Sequence, residues 1–230
     1  MRIAGLQKLT LLDYPGKVAC TVFTAGCNFR CPFCQNASLV LPERFGQPIA
    51  EEELLSFLRK RQGVLDGVAV TGGEPMLHAD LPDLLRKVRE LGYLVKLDTN
   101  GSFPDRLAAV IDEGLVDYVA MDIKNAPARY AETVGLRALD LKAIDRSRAL
   151  LAEGKVDYEF RTTVVRGLHT RESLMDAARW IEGSAAWYLQ QYRSSGEILS
   201  ASGLDAFGED EMRSFAEEAC AFVPTHVRGI

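Results

Sequence analysis

The chain of 230 residues is 47% hydrophobic and 26% charged, which is typical of a soluble globular protein. Its formal net charge of -5 argues against a general nucleic-acid binder, because such proteins carry a basic face. No apolar run is long enough to cross a membrane, and the first residues lack a signal-peptide core. We therefore expect a cytoplasmic protein that binds neither nucleic acid nor membrane and whose thiols stay reduced.

Six short segments rich in Val, Phe, Tyr or Thr are predicted to be β-strands. They cover 18–26, 67–73, 93–100, 117–124, 157–165 and 186–193. The segments between them have helical periodicity. In one of them, Asp80 is expected to cap the helix and Gly92 to end it. The predicted helices cover 50–62, 80–92, 104–114, 139–154, 170–183 and 208–222.

This alternation predicts an α/β fold, because connections of this length place successive strands parallel and cover the sheet with helices. Periodicity leaves open whether the sheet is doubly wound or a barrel. We expect a single domain over 1–230, with a core of about 15–195 and a C-terminal helical extension at 200–230. In either fold, ligands bind at the carboxyl ends of the strands.

Polar or reactive residues follow the predicted strands or lie near their ends. The carboxyl ends of parallel strands share one edge of a sheet, so these residues are predicted to form one composite active site. They are the cysteine loop, TGGEP (71–75), DTNG (98–101), MDIK (121–124), Arg161 in the fifth strand, and Gln190, Gln191 and Arg193 in the sixth.

Three cysteines lie close together after the first predicted strand. Cys27, Cys31 and Cys34 have the spacing C-x3-C-x2-C. Clustered thiolates select zinc, copper(I) or iron–sulfur. Structural zinc needs a fourth ligand, whereas an iron–sulfur cluster with three protein ligands keeps one iron open for a reactant. A zinc site completed by a distant histidine is the alternative; the candidates are His78, His169 and His226.

The remaining cysteines and histidines are predicted to have no chemical role. Cys20 lies in a predicted strand and Cys220 in a predicted helix, so both are expected in the hydrophobic core. The three histidines are expected at the surface or in loops.

The cysteine spacing, with Phe33 before the last cysteine, resembles the radical S-adenosylmethionine (SAM) superfamily. The match extends to GGEP at 72–75, which resembles the second motif of that superfamily. LDTNG (97–101) and MDIK (121–124) resemble segments of glycyl-radical-enzyme activases. Residues 13–36 are similar to the activating proteins of anaerobic ribonucleoside-triphosphate reductase, and the whole resemblance covers roughly 10–195.

The resemblance implies a partial (βα)6 barrel, TIM-like with parallel strands, and a [4Fe–4S] cluster held by the three cysteines. SAM would bind the open iron, and one electron would cleave it to methionine and a 5′-deoxyadenosyl radical. That radical would take a hydrogen from a glycine of a partner glycyl radical enzyme, which the resemblance identifies as anaerobic ribonucleoside-triphosphate reductase. A flavodoxin or ferredoxin is the implied electron donor.

The resemblance also implies contacts to SAM. The glycines would let the backbone approach the ligand, and Glu74 would accept hydrogen bonds from its ammonium group. Asp98 and Asp122 would repel the SAM carboxylate unless Lys124 or a monovalent cation intervened. Arg161 would bind that carboxylate, or alternatively form a structural salt bridge. The implied contacts are Phe33, Gly72, Gly73, Glu74, Asp98, Thr99, Asp122, Lys124, Arg161, Gln190 and Arg193.

One departure from the family concerns the sixth predicted strand. A related activase has a histidine near its end, where this chain has LQQYR at 189–193. Two other functions stay open from the sequence. One is a radical SAM enzyme that acts on a small molecule, as 7-carboxy-7-deazaguanine synthases do. The other is a non-enzymatic iron–sulfur or zinc module.

Overall fold

A computed structural model describes residues 1–194 and 198–230. Within these residues, eight strands form one sheet in the spatial order β1 to β8. β1 pairs antiparallel with β2, and every later pair is parallel. The strands are β1 Ile3–Thr10, β2 Ala19–Thr24, β3 Gly67–Gly72, β4 Leu94–Thr99, β5 Tyr118–Asp122, β6 Asp157–Val164, β7 Trp187–Gln191 and β8 Thr225–Arg228.

Helices connect the parallel strands and cover one face of the sheet. The longer helices are α2, α3, α4, α6, α7 and α8, and α1 and α5 are single turns. Short 3-10 turns cover Pro42–Arg44, Pro75–Leu77 and Pro127–Arg129. The helices are α1 Ala37–Val40, α2 Glu51–Arg59, α3 Leu81–Glu90, α4 Pro104–Asp112, α5 Tyr130–Thr133, α6 Leu141–Ala152, α7 Arg171–Trp180 and α8 Glu209–Ala219.

The predicted α/β fold with a partial barrel is confirmed. In the described residues, β1 and β8 lie at opposite edges and do not pair, so the sheet is an open barrel. The six predicted strands correspond to β2 to β7. The sequence patterns missed β1, which contains Gly5, and β8, which has only four residues. The end of the predicted core, residue 195, lies outside the described residues.

The C-terminal segment differs from the predicted helical extension. It contains α8 as expected, but β8 follows and pairs parallel with β7. Arg228 of β8 donates two hydrogen bonds to the buried Glu159 of β6, at 2.6 and 2.8 Å. Glu159 also accepts a hydrogen bond from Tyr118, and the Arg228 guanidinium lies 3.4 Å from the centre of the Tyr188 ring. These contacts hold a polar strand in the sheet that its short sequence did not predict.

The two faces of the sheet differ in polarity because side chains alternate along each strand. Val22, Val70, Leu97, Val119 and Leu189 are fully buried with the helix residues of the hydrophobic core. The inner face is polar instead. It carries Thr21, Lys96, Asp98, Tyr118, Glu159 and Arg161.

Two smaller predictions are wrong, those for Cys220 and Asp80. Cys220 is exposed because it follows the last turn of α8, whereas Cys20 is buried as expected. His169 lies in a loop between β6 and α7, as expected, but it is only 3% exposed, because it accepts a hydrogen bond from the Val165 N–H and bonds to the Lys124 carbonyl. Asp80 does not cap α3 with its side chain, since its carboxylate pairs with the N-terminal amine. No helix in the described ranges is long and apolar enough to cross a bilayer.

The packing of α3 on the sheet can be tested with one pair of substitutions. Leu84→Ala should lower the free energy of unfolding by about 2–5 kcal/mol, because Leu84 is 1% exposed and the change leaves a cavity. Leu12→Ala should change it by less than about 0.5 kcal/mol, because Leu12 is 90% exposed. Urea unfolding followed by circular dichroism measures both. Equal losses would contradict this placement of α3.

Candidate active site

One cavity of about 390 Å³ lies at the carboxyl ends of the strands. The cysteine loop and residues from or just after β3, β4, β5, β6 and β7 line it together. Among the cysteines and the implied SAM contacts, Glu74 and Arg193 do not line it. Those that do are Cys27, Cys31, Phe33, Cys34, Gly72, Gly73, Asp98, Thr99, Asp122, Lys124, Arg161 and Gln190.

The cysteine loop presents three free thiols to the cavity. A turn closed by the Cys34 N–H and the Cys31 carbonyl, 3.0 Å apart, brings these two cysteines to one wall. The Phe29 N–H donates to the Cys27 sulfur at 3.4 Å, and the Asn100 amide lies 3.9 Å from that sulfur. Phe29 and Phe33 are buried beside them and exclude water.

The three thiols suit a metal that takes the place of their protons. Burial raises the pKa of Cys27 to about 11 and that of Cys31 to about 12, so both bare thiols stay protonated at neutral pH. A bound cationic metal reverses this preference, and thiolates favour soft metals. In the part of the chain that the structure describes, no group of three or more His, Cys, Asp or Glu side chains is arranged to hold a single metal ion.

The histidines proposed to complete a zinc site have other partners. His78 bonds to the Ala25 carbonyl at 2.8 Å, and His169 bonds to the Lys124 carbonyl at 2.8 Å. The His226 ring packs against Tyr188. Because none of the three lines the cavity, the alternative of a zinc site closed by a histidine has no support from their positions.

Gly72 and Gly73 pack against the backbone that leads into the cysteine loop. Gly73 donates its N–H to the Thr24 carbonyl, and a Cβ on Gly73 would lie 1.9 Å from the Gly26 oxygen. Gly72 has a φ of 121°, which favours glycine, and a Cβ there would lie 2.3 Å from the Thr24 nitrogen. The two glycines are therefore required for the close approach of β3 to the cysteine loop.

Glu74 has partners other than the expected cavity ligand. Its buried carboxylate accepts hydrogen bonds from the Thr99 hydroxyl at 2.8 Å, the Asn100 N–H at 2.6 Å and the Met76 N–H at 3.0 Å. The carboxylate thereby connects the loops after β3 and β4. Burial raises its pKa from 4.5 to about 7, against the effect of these hydrogen bonds.

Arg161 lies between the two aspartates of the cavity. It contacts Asp98 at 3.0 Å and Asp122 at 3.1 Å, so the salt bridge considered for Arg161 is present. Lys124 contacts Asp122 at 2.8 Å, and Lys96 contacts Asp98. Burial opposes ionisation of Asp98, but Arg161 and Lys96 outweigh it and lower its pKa to about 2. The sequence interpretation missed Lys96, although a lysine inside an apolar strand two residues before Asp98 was a visible signal.

At the end of β7, the structure separates the three candidate side chains. Gln190 lines the cavity, whereas Gln191 donates to the Phe207 carbonyl. Arg193 is exposed and donates to the Gly229 carbonyl, so its predicted place in the cavity is wrong. Its own carbonyl accepts a hydrogen bond from Gln35 at 2.6 Å.

Leu199 and Ser200, beyond the end of β7, also bind the cysteine loop. The Leu199 N–H donates to the Cys34 carbonyl at 3.1 Å, and the Ser200 N–H donates to the Pro32 carbonyl at 2.9 Å. Together with Gln35, these bonds connect the cysteine loop to the segments on the C-terminal side of β7.

The sequence pattern of the Radical SAM superfamily matches residues 21–181, which is more than half of the chain. The chain belongs to the radical SAM superfamily. This radical SAM enzyme is also 32% identical, over 201 residues, to a protein of Methanocaldococcus jannaschii. That relative bears the provisional name of a glycyl-radical enzyme activating enzyme. That match covers 83% of this chain and 79% of the relative.

A second kind of relative acts on a small molecule. The radical SAM enzyme is 28% identical over 208 residues to 7-carboxy-7-deazaguanine synthase of Thermococcus kodakarensis, which covers 80% of this chain and 78% of that protein. Both activases and synthases are thus among its relatives, so family membership does not choose between their substrates.

Solved structures share the fold at low sequence identity. SuiB of Streptococcus suis bound to SAM superposes with a TM-score of 0.70 and 13% identity over 90% of this chain, and the radical SAM enzyme spans 49% of SuiB. A domain of pyruvate-formate lyase-activating enzyme from Bacteroides vulgatus superposes with a TM-score of 0.56 and 18% identity. It covers 71% of this chain and 99% of that domain.

The close approach at Gly73 predicts a strong effect of one methyl group. Gly73→Ala should lower the free energy of unfolding by about 1–3 kcal/mol or more, because the new Cβ would overlap the Gly26 oxygen. The same overlap should impair assembly of the cluster. Gly46→Ala is the matched control, since a Cβ there meets nothing within 4 Å. Denaturant unfolding and iron content per chain measure the two effects. Equal behaviour of both variants would contradict the packing.

The buried Glu74 predicts a specific pH dependence. Its pKa is about 7 in the folded chain and 4.5 as its ordinary value, so its contribution is complete below about pH 4.5 and is lost as the pH rises through 7. The stability of the wild type relative to Glu74→Gln should therefore fall by roughly 3 kcal/mol across that range. Urea unfolding at several pH values measures it. The exposed Glu43→Gln variant should keep the wild-type profile, and a flat difference for Glu74→Gln would refute the prediction.

Proposed function

We propose that this radical SAM enzyme activates a glycyl radical enzyme, and that its partner is anaerobic ribonucleoside-triphosphate reductase. The observation that carries the proposal is the 32% identity to the M. jannaschii protein over most of both chains. The likeness of residues 13–36 to reductase-activating proteins supports this particular partner. We further propose a flavodoxin or ferredoxin as electron donor and a cytoplasmic location, where thiols stay reduced.

The residues around the cavity fit a [4Fe–4S] cluster and SAM by their chemistry. Cys27, Cys31 and Cys34 would hold the cluster, since they are three soft donors on one loop beside the cavity. When bound and reduced, the cluster supplies the single electron that cleaves SAM. Phe29 and Phe33 would keep water away from it.

The remaining cavity residues would position SAM. The backbone around Gly72 and Gly73 is bare of side chains, so it would accept close contact with the methionine part. Arg161 and Lys124 present positive charge that would attract the carboxylate. Gln190 is the polar side chain of β7 on the cavity wall and would contact the nucleoside. Glu74 would act indirectly, by fixing the loops that carry these groups.

The open side of the sheet supports a macromolecular substrate. In the described residues, β1 and β8 do not pair, so the barrel is open between them, and the inner face of β2, β4, β5 and β6 is polar. A loop of a partner protein exposes many backbone polar groups, which a polar inner face can satisfy better than an apolar one. The entry of such a loop through this gap would bring a glycine close to the cavity.

The identity to 7-carboxy-7-deazaguanine synthase favours a second candidate, a radical reaction on a small molecule. The two candidates differ in product. An activase makes 5′-deoxyadenosine together with a protein-bound glycyl radical, whereas the other enzyme changes a small heterocycle. Anaerobic incubation of the reduced enzyme with SAM and the reductase should give the doublet of a glycyl radical in electron paramagnetic resonance. Its absence, with intact SAM cleavage, would favour the second candidate.

A cysteine pair provides the matched control for cluster binding. Cys31→Ser should abolish iron–sulfur absorbance and reduce 5′-deoxyadenosine to background, because it removes one of three ligands. Cys220→Ser should retain both, since Cys220 is exposed and does not line the cavity. Iron content, absorbance and chromatography of 5′-deoxyadenosine measure the outcome. Full iron content in Cys31→Ser would refute the ligand assignment.

A further inference from the structure

Five charged side chains alternate in sign along the inner face of the sheet. In contact order they are Lys96, Asp98, Arg161, Asp122 and Lys124, and we refer to them as the ion chain. Lys96 and Asp98 lie on β4, Asp122 at the end of β5 and Arg161 on β6, with Lys124 just after β5. Neighbouring parallel strands thus bring three cations and two carboxylates together.

Every carboxylate oxygen of the ion chain has a cationic partner. Asp98 accepts from Lys96 with one oxygen and from Arg161 with the other. Asp122 accepts from Arg161 with one oxygen, at 3.1 Å, and from Lys124 with the other, at 2.8 Å. Each oxygen of the two aspartates thus already accepts a hydrogen bond from a cationic side chain, so an additional cation would share these oxygens with ammonium or guanidinium groups and be repelled by their charge.

The charge balance of the ion chain is positive. Three cations face two carboxylates, and the nearby Glu159 is engaged by Arg228 and Tyr118. Lys96 is only 2% exposed, and a lysine is almost never buried so deeply unless it is paired. Within the ion chain the cations therefore outnumber the carboxylates, although the Asp13 carboxylate also lines the cavity. The cations lie where an anionic ligand group would be attracted.

This arrangement does not fit the monovalent cation that the family resemblance suggested as a bridge between the aspartates and SAM. We infer that the lysines and arginine of the ion chain replace that cation, and that Lys96 is the positioning residue that makes the replacement possible. When Arg161 turns towards an anionic ligand, Asp98 loses one partner and keeps Lys96. Asp98 then stays neutralised without an ion from solution. The inference rests on the proposed position of the SAM carboxylate in this cavity.

The first test measures how SAM binding depends on salt. Equilibrium dialysis of SAM against the reconstituted enzyme compares potassium, sodium and tetramethylammonium chloride at one ionic strength, because general screening must be constant. The dissociation constant should agree within about twofold across the three salts. Binding of thallium(I), a probe for potassium sites, should not be detected by ²⁰⁵Tl magnetic resonance. A potassium dependence of about tenfold or more, or a bound thallium signal that SAM strengthens, would overturn the inference.

The second test uses variants of Lys96. Lys96→Met removes the charge at similar length and should weaken SAM binding about tenfold or more in tetramethylammonium, because Asp98 loses a buried partner. Potassium should partly restore it. Lys96→Arg should keep salt-independent binding, and Lys155→Met removes an exposed lysine paired with Asp112 as the matched control. Wild-type affinity of Lys96→Met in all three salts would overturn the inference. If Lys96→Met fails to fold, the salt dependence of the wild type still decides.

These outcomes separate the inference from the proposed function. Salt-dependent SAM binding, with normal cleavage, overturns the inference alone. Failure of the iron-loaded wild type to bind SAM in any salt overturns both. A missing glycyl radical with salt-independent SAM binding leaves the inference supported and refutes the activase proposal.

Discussion

The site depends on the need to keep two carboxylates charged at the carboxyl edge of a largely buried sheet. Asp98 and Asp122 lie on neighbouring strands, and only the cations between and beside them make their ionisation favourable. Arg161 on β6 and Lys96 in the middle of β4 provide the positive charge that this ionisation requires. The polar inner face follows from this requirement, and it distinguishes the open barrel from closed barrels whose interior is filled by apolar side chains.

Much of the fold was predictable because the parallel strands have strong local signals. β2 to β7 are short, β-branched and separated by amphipathic helices, so alternation alone gave their order and orientation. The outermost strands carry weaker signals. β8 contributes the half-buried Arg228, which pairs with the buried Glu159 far away in sequence, and no local pattern could reveal such a partner.

The candidate site was likewise predictable from the sequence only in part. The cysteine loop, the glycines and the aspartates could be placed because each lies at or just after the end of a strand, and a parallel sheet brings these ends together. The directions in which the side chains point could not be predicted from the sequence. Glu74 turns into the protein to bind Thr99 and Asn100, and Arg193 turns outward to Gly229. Both choices depend on hydrogen-bond partners from distant segments, which only the folded chain defines.

The bonds between the cysteine loop and the segment after β7 have a further consequence. The carbonyls of Pro32 and Cys34 act as acceptors for Ser200 and Leu199, on the path that leads to α8. A rearrangement of the cysteine loop that moved these carbonyls would therefore remove two anchors from a segment distant in sequence. Backbone hydrogen bonds thus connect the cysteine loop to the part of the chain that leads into the C-terminal helix, so a change in the conformation of the loop alters the support of that part.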